Sequence, residues 1–239
     1  MNKDLIQKRF SRKLSTYNSH AKIQKQMAEK LINFAPKTTN SILEIGCGTG
    51  ILTNLAVKKL NYKKYTALDI VSECEKYITE IDNNIEFVNC DIENYIENCK
   101  NFDLIISNAS LQWIENMPDF VQKLIAKLNK NGIILFTTFG TENFREIYYV
   151  LGKTLPYYSV KELQEQFAEY SPVLEEEVRI MAFKTPKEVL KHIQNTGVNA
   201  LTSECWTKKD LQNFEKGYNN FCANHPTLTY NPIYVKIQK

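Results

Sequence analysis

Five times in succession the chain alternates a short apolar run with a stretch of helical spacing, and few folds accommodate that rhythm. Residues 41–46, Ser-Ile-Leu-Glu-Ile-Gly, form an apolar run ending in glycine, and Ile51 to Leu60 then carries Leu52, Leu55, Ala56 and Leu60 at helical intervals. The unit recurs as strand Tyr65 to Ile70 with helix Ser72 to Thr79, strand Ile85 to Val88 with helix Ile92 to Cys99, strand Phe102 to Ser107 with helix Asp119 to Leu128, and strand Ile133 to Phe139 with helix Phe144 to Leu151. Alternation of this kind predicts an α/β domain with a doubly wound, mostly parallel sheet.

Beyond Leu151 the rhythm changes. A helix is expected over Val160 to Ala168 and an extended stretch over Glu177 to Phe183. Thr185 followed by Pro186 reads as an N-cap and first helical residue, opening a helix to Asn195, and Thr207 caps another over Lys208 to Cys222. Thr227 to Ile237 is β-prone but holds Pro232, which predicts an edge strand or a bulge. No repeat or Gly/Pro-rich linker divides the chain, and 239 residues at 43% apolar suit one domain with a single core.

Several function classes fall away on composition. The longest apolar runs, such as Gly132 to Phe136, are far below the ~20 residues of a membrane span, and the first residues carry no apolar signal core, so a cytoplasmic protein without a membrane partner is expected. Six cysteines without a C-x-x-C pair and three dispersed histidines predict reduced thiols and no metal. The net charge of +3 is uneven: residues 1–30 hold eight Lys/Arg against two Asp/Glu. A basic end of this kind attracts phosphate, nucleic acid or an acidic protein surface, or is simply a solvated helix face.

The chemistry concentrates at the first strand's end, in Glu44-Ile45-Gly46-Cys47-Gly48-Thr49-Gly50. Glycines there let backbone approach a ligand, and the following helix offers unpaired N–H donors. Counting from Gly46, the sixth position is Ile51, so the dinucleotide pattern G-x-G-x-x-G is absent, and no Gly-Lys-Ser/Thr follows to make a phosphate loop. Asp69 ends the second strand and Asp91 follows the third; a carboxylate at the former position accepts both hydroxyls of a ribose.

An acidic residue followed by x-G-x-G-x-G, with acids at the next two strand ends, resembles the class I S-adenosylmethionine-dependent methyltransferases. The resemblance implies their Rossmann-like fold, a seven-stranded sheet with a C-terminal helical cap, and S-adenosylmethionine as cofactor with S-adenosylhomocysteine as product. It divides the single domain into an N-terminal helical segment (1–36), a cofactor-binding core (37–152) and a substrate-side cap with the last strands (153–239). It also implies that Glu44, Gly46, Cys47 and Gly48 belong to the cofactor loop, Asp69 with Ile70 to the ribose site, Asp91 with Ile92 to the adenine site, and that Asn108 at the fourth strand's end is a further cofactor-binding residue. The stretch Ser107 to Trp113 lacks the Asn/Asp-Pro-Pro-Tyr/Phe motif of many amino-methylating enzymes, which opposes a flipped base or other nucleic-acid substrate.

Three stretches are similar to one subfamily, the malonyl-acyl carrier protein O-methyltransferases of biotin synthesis: Tyr17 to Gln24, Ser107 to Trp113, and Thr196 to Ala200 with Leu228 to Tyr230. The resemblance implies methyl transfer to the free carboxylate of a malonyl thioester on acyl carrier protein. That carboxylate is already ionised at neutral pH, so the expected side chains position it and none acts as base. Arg145 is the candidate fork for the carboxylate and Tyr17 a candidate for closing the pocket, both as catalytic positions, while Gln24 is expected at the methionine part of the cofactor. Lys191 and His192 lie on a helix whose orientation the sequence leaves open. Lys8, Arg9, Arg12 and Lys13 offer a landing site for an acidic carrier, and a monomer is expected. Two alternatives stand beside this reading: methylation of another small carboxylic acid, and a non-catalytic S-adenosylmethionine-binding assembly factor.

Overall fold

The structure, a computed structural model, describes residues 3–196 and 206–239. Three helices come first, α1 (Lys3–Ser11), α2 (Leu14–His20) and α3 (Lys22–Leu31), and the expected alternation follows. β1 (Ser41–Ile45) leads to α4 (Ile51–Lys59), β2 (Lys64–Asp69) to α5 (Glu75–Ile81), β3 (Glu86–Asn89) to α6 (Ile92–Asn98), β4 (Phe102–Ser107) to α7 (Met117–Ala126), and β5 (Leu128–Phe139) to α8 (Arg145–Leu151). After these come α9 (Val160–Gln166), β6 (Val173–Glu176), β7 (Arg179–Ala182), α10 (Pro186–Asn195), α11 (Lys208–Phe221), β8 (Thr227–Tyr230) and β9 (Pro232–Gln238). Of the stretch Thr196 to Ala200, only Thr196 is among the described residues.

Seven strands form one sheet in the order β3-β2-β1-β4-β5-β9-β6. β1 to β5 run parallel, β9 lies antiparallel to β5, and β6 antiparallel to β9. The inner strands read as continuous apolar runs because each face of a parallel sheet is covered. Ile42, Leu104 and Leu135 pack with Met27, Leu52 and Ala56 on one side, and the alternate residues Leu43, Ile105 and Ile134 with Phe120, Val121 and Leu124 on the other. The chain leaves β1 and β4, neighbours in space, in opposite directions, and open α/β sheets bind ligands at the carboxyl ends of such a pair.

The extended stretch Glu177 to Phe183 contains β7, which pairs with β8 in a separate two-stranded sheet, while β6 just before it pairs with β9 in the main sheet. The expectation of an edge strand or bulge over Thr227 to Ile237 needs correction: the segment splits at Asn231, and β9 is an inner strand, flanked by β5 and β6. Proline is tolerated there because it is the strand's first residue, opposite Phe139, and its neighbour does the bonding. Asn231 donates its amide to Glu176 at 3.0 Å and to the Glu177 carbonyl at 2.9 Å, accepts from the N–H of Glu142, and has its own N–H bound by Asn143. A local pattern search weighs Pro232 and cannot see this side chain knitting both flanks.

The small sheet is fastened by a buried carboxylate. Glu146 on α8, only 1% exposed, accepts the N–H of Thr229 at 2.9 Å and the hydroxyls of Thr229 and Thr227 at 2.6 and 3.3 Å. Glu146→Leu leaves a buried strand N–H without a partner and is expected to cost about 2 to 4 kcal/mol in urea unfolding, while Glu146→Gln, which retains an acceptor oxygen, costs clearly less. Equal losses in the two variants would assign the effect to side-chain packing and remove the hydrogen bonds from the account.

Candidate functional site

β1 delivers the chain into Gly46-Cys47-Gly48-Thr49-Gly50 at the centre of the sheet's carboxyl edge. Gly46 has φ +67°, and a Cβ there would sit 2.1 Å from the Ser110 hydroxyl, so glycine is what lets the turn after β4 close against this loop. Gly48, at φ +53°, leaves space that the Phe10 ring of α1 approaches, 3.3 Å from where a Cβ would stand. Burial and the nearby carboxylates of Asp69 and Glu44 push the Cys47 thiol well above its ordinary range, which excludes it as a nucleophile.

Two buried carboxylates flank the loop. Asp69 accepts the N–H of Gly48 on one oxygen at 2.8 Å and that of Val71 on the other at 2.9 Å. Burial raises its pKa and these backbone bonds oppose the rise. The Cys74 thiol and the Ile70 N–H are also among its partners, and the carboxylate lines the cavity. Glu44 sits deeper and accepts the hydroxyls of Tyr65 at 2.5 Å and Thr53 at 2.7 Å, both on one oxygen. Burial dominates over those bonds and pushes its pKa up to about 7.

Two amide side chains enter from the other side. Asn108 donates to the backbone carbonyl of Gln24 at 3.0 Å and accepts from Thr137 at 2.9 Å, so the end of β4 holds α3 in place. Gln24 is 3% exposed, and its side-chain oxygen, like that of Gln112, is buried without a hydrogen-bond partner. Buried acceptors are seldom left unmade. Both residues line a single cavity.

α1 lies over this cavity as a strap. It has no buried residue of its own and is held by polar contacts: Lys3 to Asp91 at 2.5 Å and to Glu93, Gln7 to the Ile70 carbonyl at 2.8 Å, and Ser11 to Glu73 at 2.5 Å. Asp91 also caps α6 through the N–H of Glu93, so both of its oxygens are engaged. Tyr17 on α2 sits edge-on to Phe10 with ring centroids 5.0 Å apart, and burial, with Asp69 nearby, raises its phenol pKa far enough to keep it protonated.

The cavity gathers Tyr17, Gln24, Glu44, Gly46, Cys47, Gly48, Asp69, Ile70, Asp91, Ile92 and Asn108. Arg145 is not among its lining. It stands at the exposed start of α8, paired with Glu142 at 3.1 Å, because Phe144 at φ +58° turns the helix so that Glu146 and Ile147, not Arg145, point inward. The expectation that Arg145 grips a carboxylate in this cavity is therefore withdrawn. The sequence reading named no site role for Lys3, Ile6, Gln7 and Phe10, whose i, i+3, i+4 and i+7 spacing marks one helical face, nor for Ser110, Gln112, Trp113, Phe139 and Thr196, which also line the cavity.

Comparison with known proteins accords with this geometry. A methyltransferase domain family matches residues 17–176. Malonyl-[acyl-carrier protein] O-methyltransferase of Chlorobium luteolum is 36% identical over 99% of this chain and 95% of its own length. The chain belongs to the malonyl-[acyl-carrier protein] O-methyltransferase family. The family's enzyme from Prosthecochloris aestuarii is 34% identical over 100% of this chain and 94% of its own. The fold matches that of N-methyltransferase NodS from Bradyrhizobium japonicum, solved in complex with S-adenosyl-L-homocysteine, at a TM-score of 0.55 and 12% identity over 98% of each chain.

S-adenosylmethionine, the cofactor of this methyltransferase family, suits the donor and acceptor set present. Asp69 brings a carboxylate that can accept ribose hydroxyls to the cavity wall, the orphaned oxygens of Gln24 and Gln112 suit an ammonium donor, and Gly46 and Gly48 leave backbone exposed where a side chain would intrude. Asp69→Ala is expected to weaken S-adenosylmethionine binding by about 1 to 3 kcal/mol in calorimetry, through lost ribose hydrogen bonds; near-wild-type affinity would place the ribose elsewhere.

A second expectation concerns Glu44. The unfolded chain releases this proton near the ordinary value of 4.5 and the folded chain only near 7, so the contribution to stability is complete below about 4.5 and is lost as pH rises to 7. Over that window the cofactor-free enzyme is expected to lose about 3 kcal/mol relative to Glu44→Gln in urea unfolding. Parallel pH curves for the two proteins would show that Glu44 is ionised in the fold.

Proposed function

We propose that this chain transfers a methyl group from S-adenosylmethionine to the free carboxylate of a malonyl thioester carried by acyl carrier protein, in the cytoplasm, as an early step of biotin synthesis. The observation that carries the proposal is the cavity itself: loop, Asp69 and the two amides with partnerless oxygens meet at the carboxyl ends of the central parallel strands, and Tyr17, Phe139 and Thr196 close it toward β5. When bound, the sulfonium supplies the methyl group and takes up the electron pair of the broken carbon–sulfur bond.

The residues of the chain do the rest by placement. A malonyl carboxylate is ionised near neutral pH, so no proton has to be removed before its oxygen attacks carbon. Phe10, Phe139 and Trp113 exclude water from around that oxygen, and a desolvated carboxylate is the stronger nucleophile. The Tyr17 hydroxyl, held neutral, is a donor that orients an anion without neutralising it, unlike a guanidinium fork. Alignment of this kind supplies several kcal/mol without acid or base.

Entry from the carrier fits the strap. Lys8 and Arg12 are exposed near the same helix that faces the cavity through Gln7 and Phe10, so the basic charge stands at its mouth. An acidic carrier is drawn to such a rim, which steers encounter more than it adds affinity. Lys13 instead reaches Asn195 at 3.2 Å and has a structural partner.

The test is a mass-spectrometric methyl-transfer assay offering malonyl-carrier, malonyl-CoA, free malonate and free tricarboxylates in parallel. Methyl ester formed chiefly on malonyl-carrier is the expected result. Ester formed chiefly on a free acid would transfer the enzyme to another small-carboxylate substrate, and cofactor binding without any ester would turn the reading toward a non-catalytic assembly role.

A further inference from the structure

The last turn of α10 joins three parts of the molecule that the cofactor side does not use. Thr196 lines the cavity, and its hydroxyl donates to the Ile193 carbonyl at 3.1 Å. One turn earlier, Nε2 of His192 meets the hydroxyl of Tyr230 at 2.8 Å. Between them Asn195 accepts from Lys13 and sets its amide 3.3 Å from Nε2 of His20, which fastens α2, the helix that carries Tyr17.

Tyr230, at the end of β8, is fully buried, edge-on to Phe144 at 4.9 Å and against Phe139 at 6.1 Å. The His192–Tyr230 bond therefore stands one layer behind Tyr17, Phe139 and Thr196. Phe139 ends β5, at the opposite end of the parallel row from β3, after which Asp91 sits, so this wall belongs to the substrate side. Burial, with His20 nearby, holds the His192 imidazole below its usual pKa, and burial holds the Tyr230 phenol above its own, so both are neutral near pH 7. Turning either ring breaks a hydrogen bond at the buried Tyr230 hydroxyl, which stiffens the wall.

We propose that the His192–Tyr230 pair is a positioning device that sets the acid length the enzyme accepts: it fixes the wall of Tyr17, Phe139 and Thr196 so that a malonyl carboxylate reaches the methyl group in line and a succinyl carboxylate, one methylene longer, overshoots. The inference rests on the carboxylate-methylating reading above. A fixed wall discriminates one methylene by roughly 10- to 200-fold. An amide at position 192 can donate to or accept from the Tyr230 hydroxyl and so retains the contact, whereas an aliphatic side chain loses it.

The experiment compares the full chain with Tyr230→Phe, His192→Leu, His192→Gln and the Tyr230→Phe/His192→Leu pair, measuring kcat/KM on malonyl-carrier and succinyl-carrier, S-adenosylmethionine affinity by calorimetry, and thermal unfolding. The malonyl-to-succinyl ratio is expected to fall about tenfold in Tyr230→Phe and in His192→Leu, with no further fall in the pair and most of the ratio restored in His192→Gln. Cofactor affinity stays within about twofold of wild type, because neither residue reaches the loop or Asp69. An unchanged ratio, an equal fall on both substrates, or the same loss in His192→Gln as in His192→Leu overturns the inference. Should His192→Leu fail to fold, Tyr230→Phe, which removes a single oxygen, decides alone. A wild-type enzyme that esterifies neither carrier refutes the proposed function and this inference with it, whereas an active, selective wild type with unchanged variants refutes the inference only.

Discussion

A carboxylate at the end of β2 accepts one hydrogen bond from Val71, which fixes its own turn, and one from Gly48, which ties the glycine loop to the neighbouring strand. The loop after β1 has no side-chain anchor of its own at Gly46 or Gly48, so Asp69 supplies its shape from outside. A buried carboxylate needs donors to offset desolvation, and a glycine loop needs an acceptor to hold it. Each satisfies the other, and the carboxylate stays at the cavity wall. Structure and ligand recognition at this site are the same set of bonds.

The N-terminal strap works by opposite physics. α1 has no fully buried residue and packs on the core through Phe10, so much of its seat depends on ion pairs and side-chain bonds that water competes for. Local opening of such an element costs far less than global unfolding. Lys3 occupies Asp91, the position that the resemblance gives to adenine, so the closed strap and the acidic strand end are in register before any ligand arrives. α2 and α3 differ, since Leu14, Ile23, Met27 and Leu31 bury them, and they carry Tyr17 and Gln24 on a fixed base.

The parallel half of the sheet was legible because both-face burial writes itself as unbroken apolar runs, and the loop because its glycines interrupt them at a strand end. The antiparallel half was less so. Pro232 carries the strongest local signal in its segment and points to an edge, yet Asn231, unremarkable in a sequence, supplies the bonds that admit β9 to the interior. Arg145 shows the same limit on the site side: chemistry and position after the fifth strand favoured it, and one left-handed residue, Phe144, rotated it outward. Gln24 was found from its stretch near the start, whereas the orphaned oxygen of Gln112 is a tertiary fact, visible only once α3 and the turn after β4 are brought together.

The inner position of β9 has a consequence for how the chain is made. β5 lies at residues 128–139 and its partner at 232–238, so β5 leaves the ribosome long before the strand that covers its open side. At about 5 to 20 residues per second, roughly 5 to 20 s pass in which Ile133 to Phe139 offers an unpaired apolar edge. β6, which meets the sheet only through β9, waits as well. During synthesis the molecule is therefore a five-stranded intermediate with one sticky border, the form most exposed to mispairing with a second nascent chain and the one a chaperone has most reason to shield.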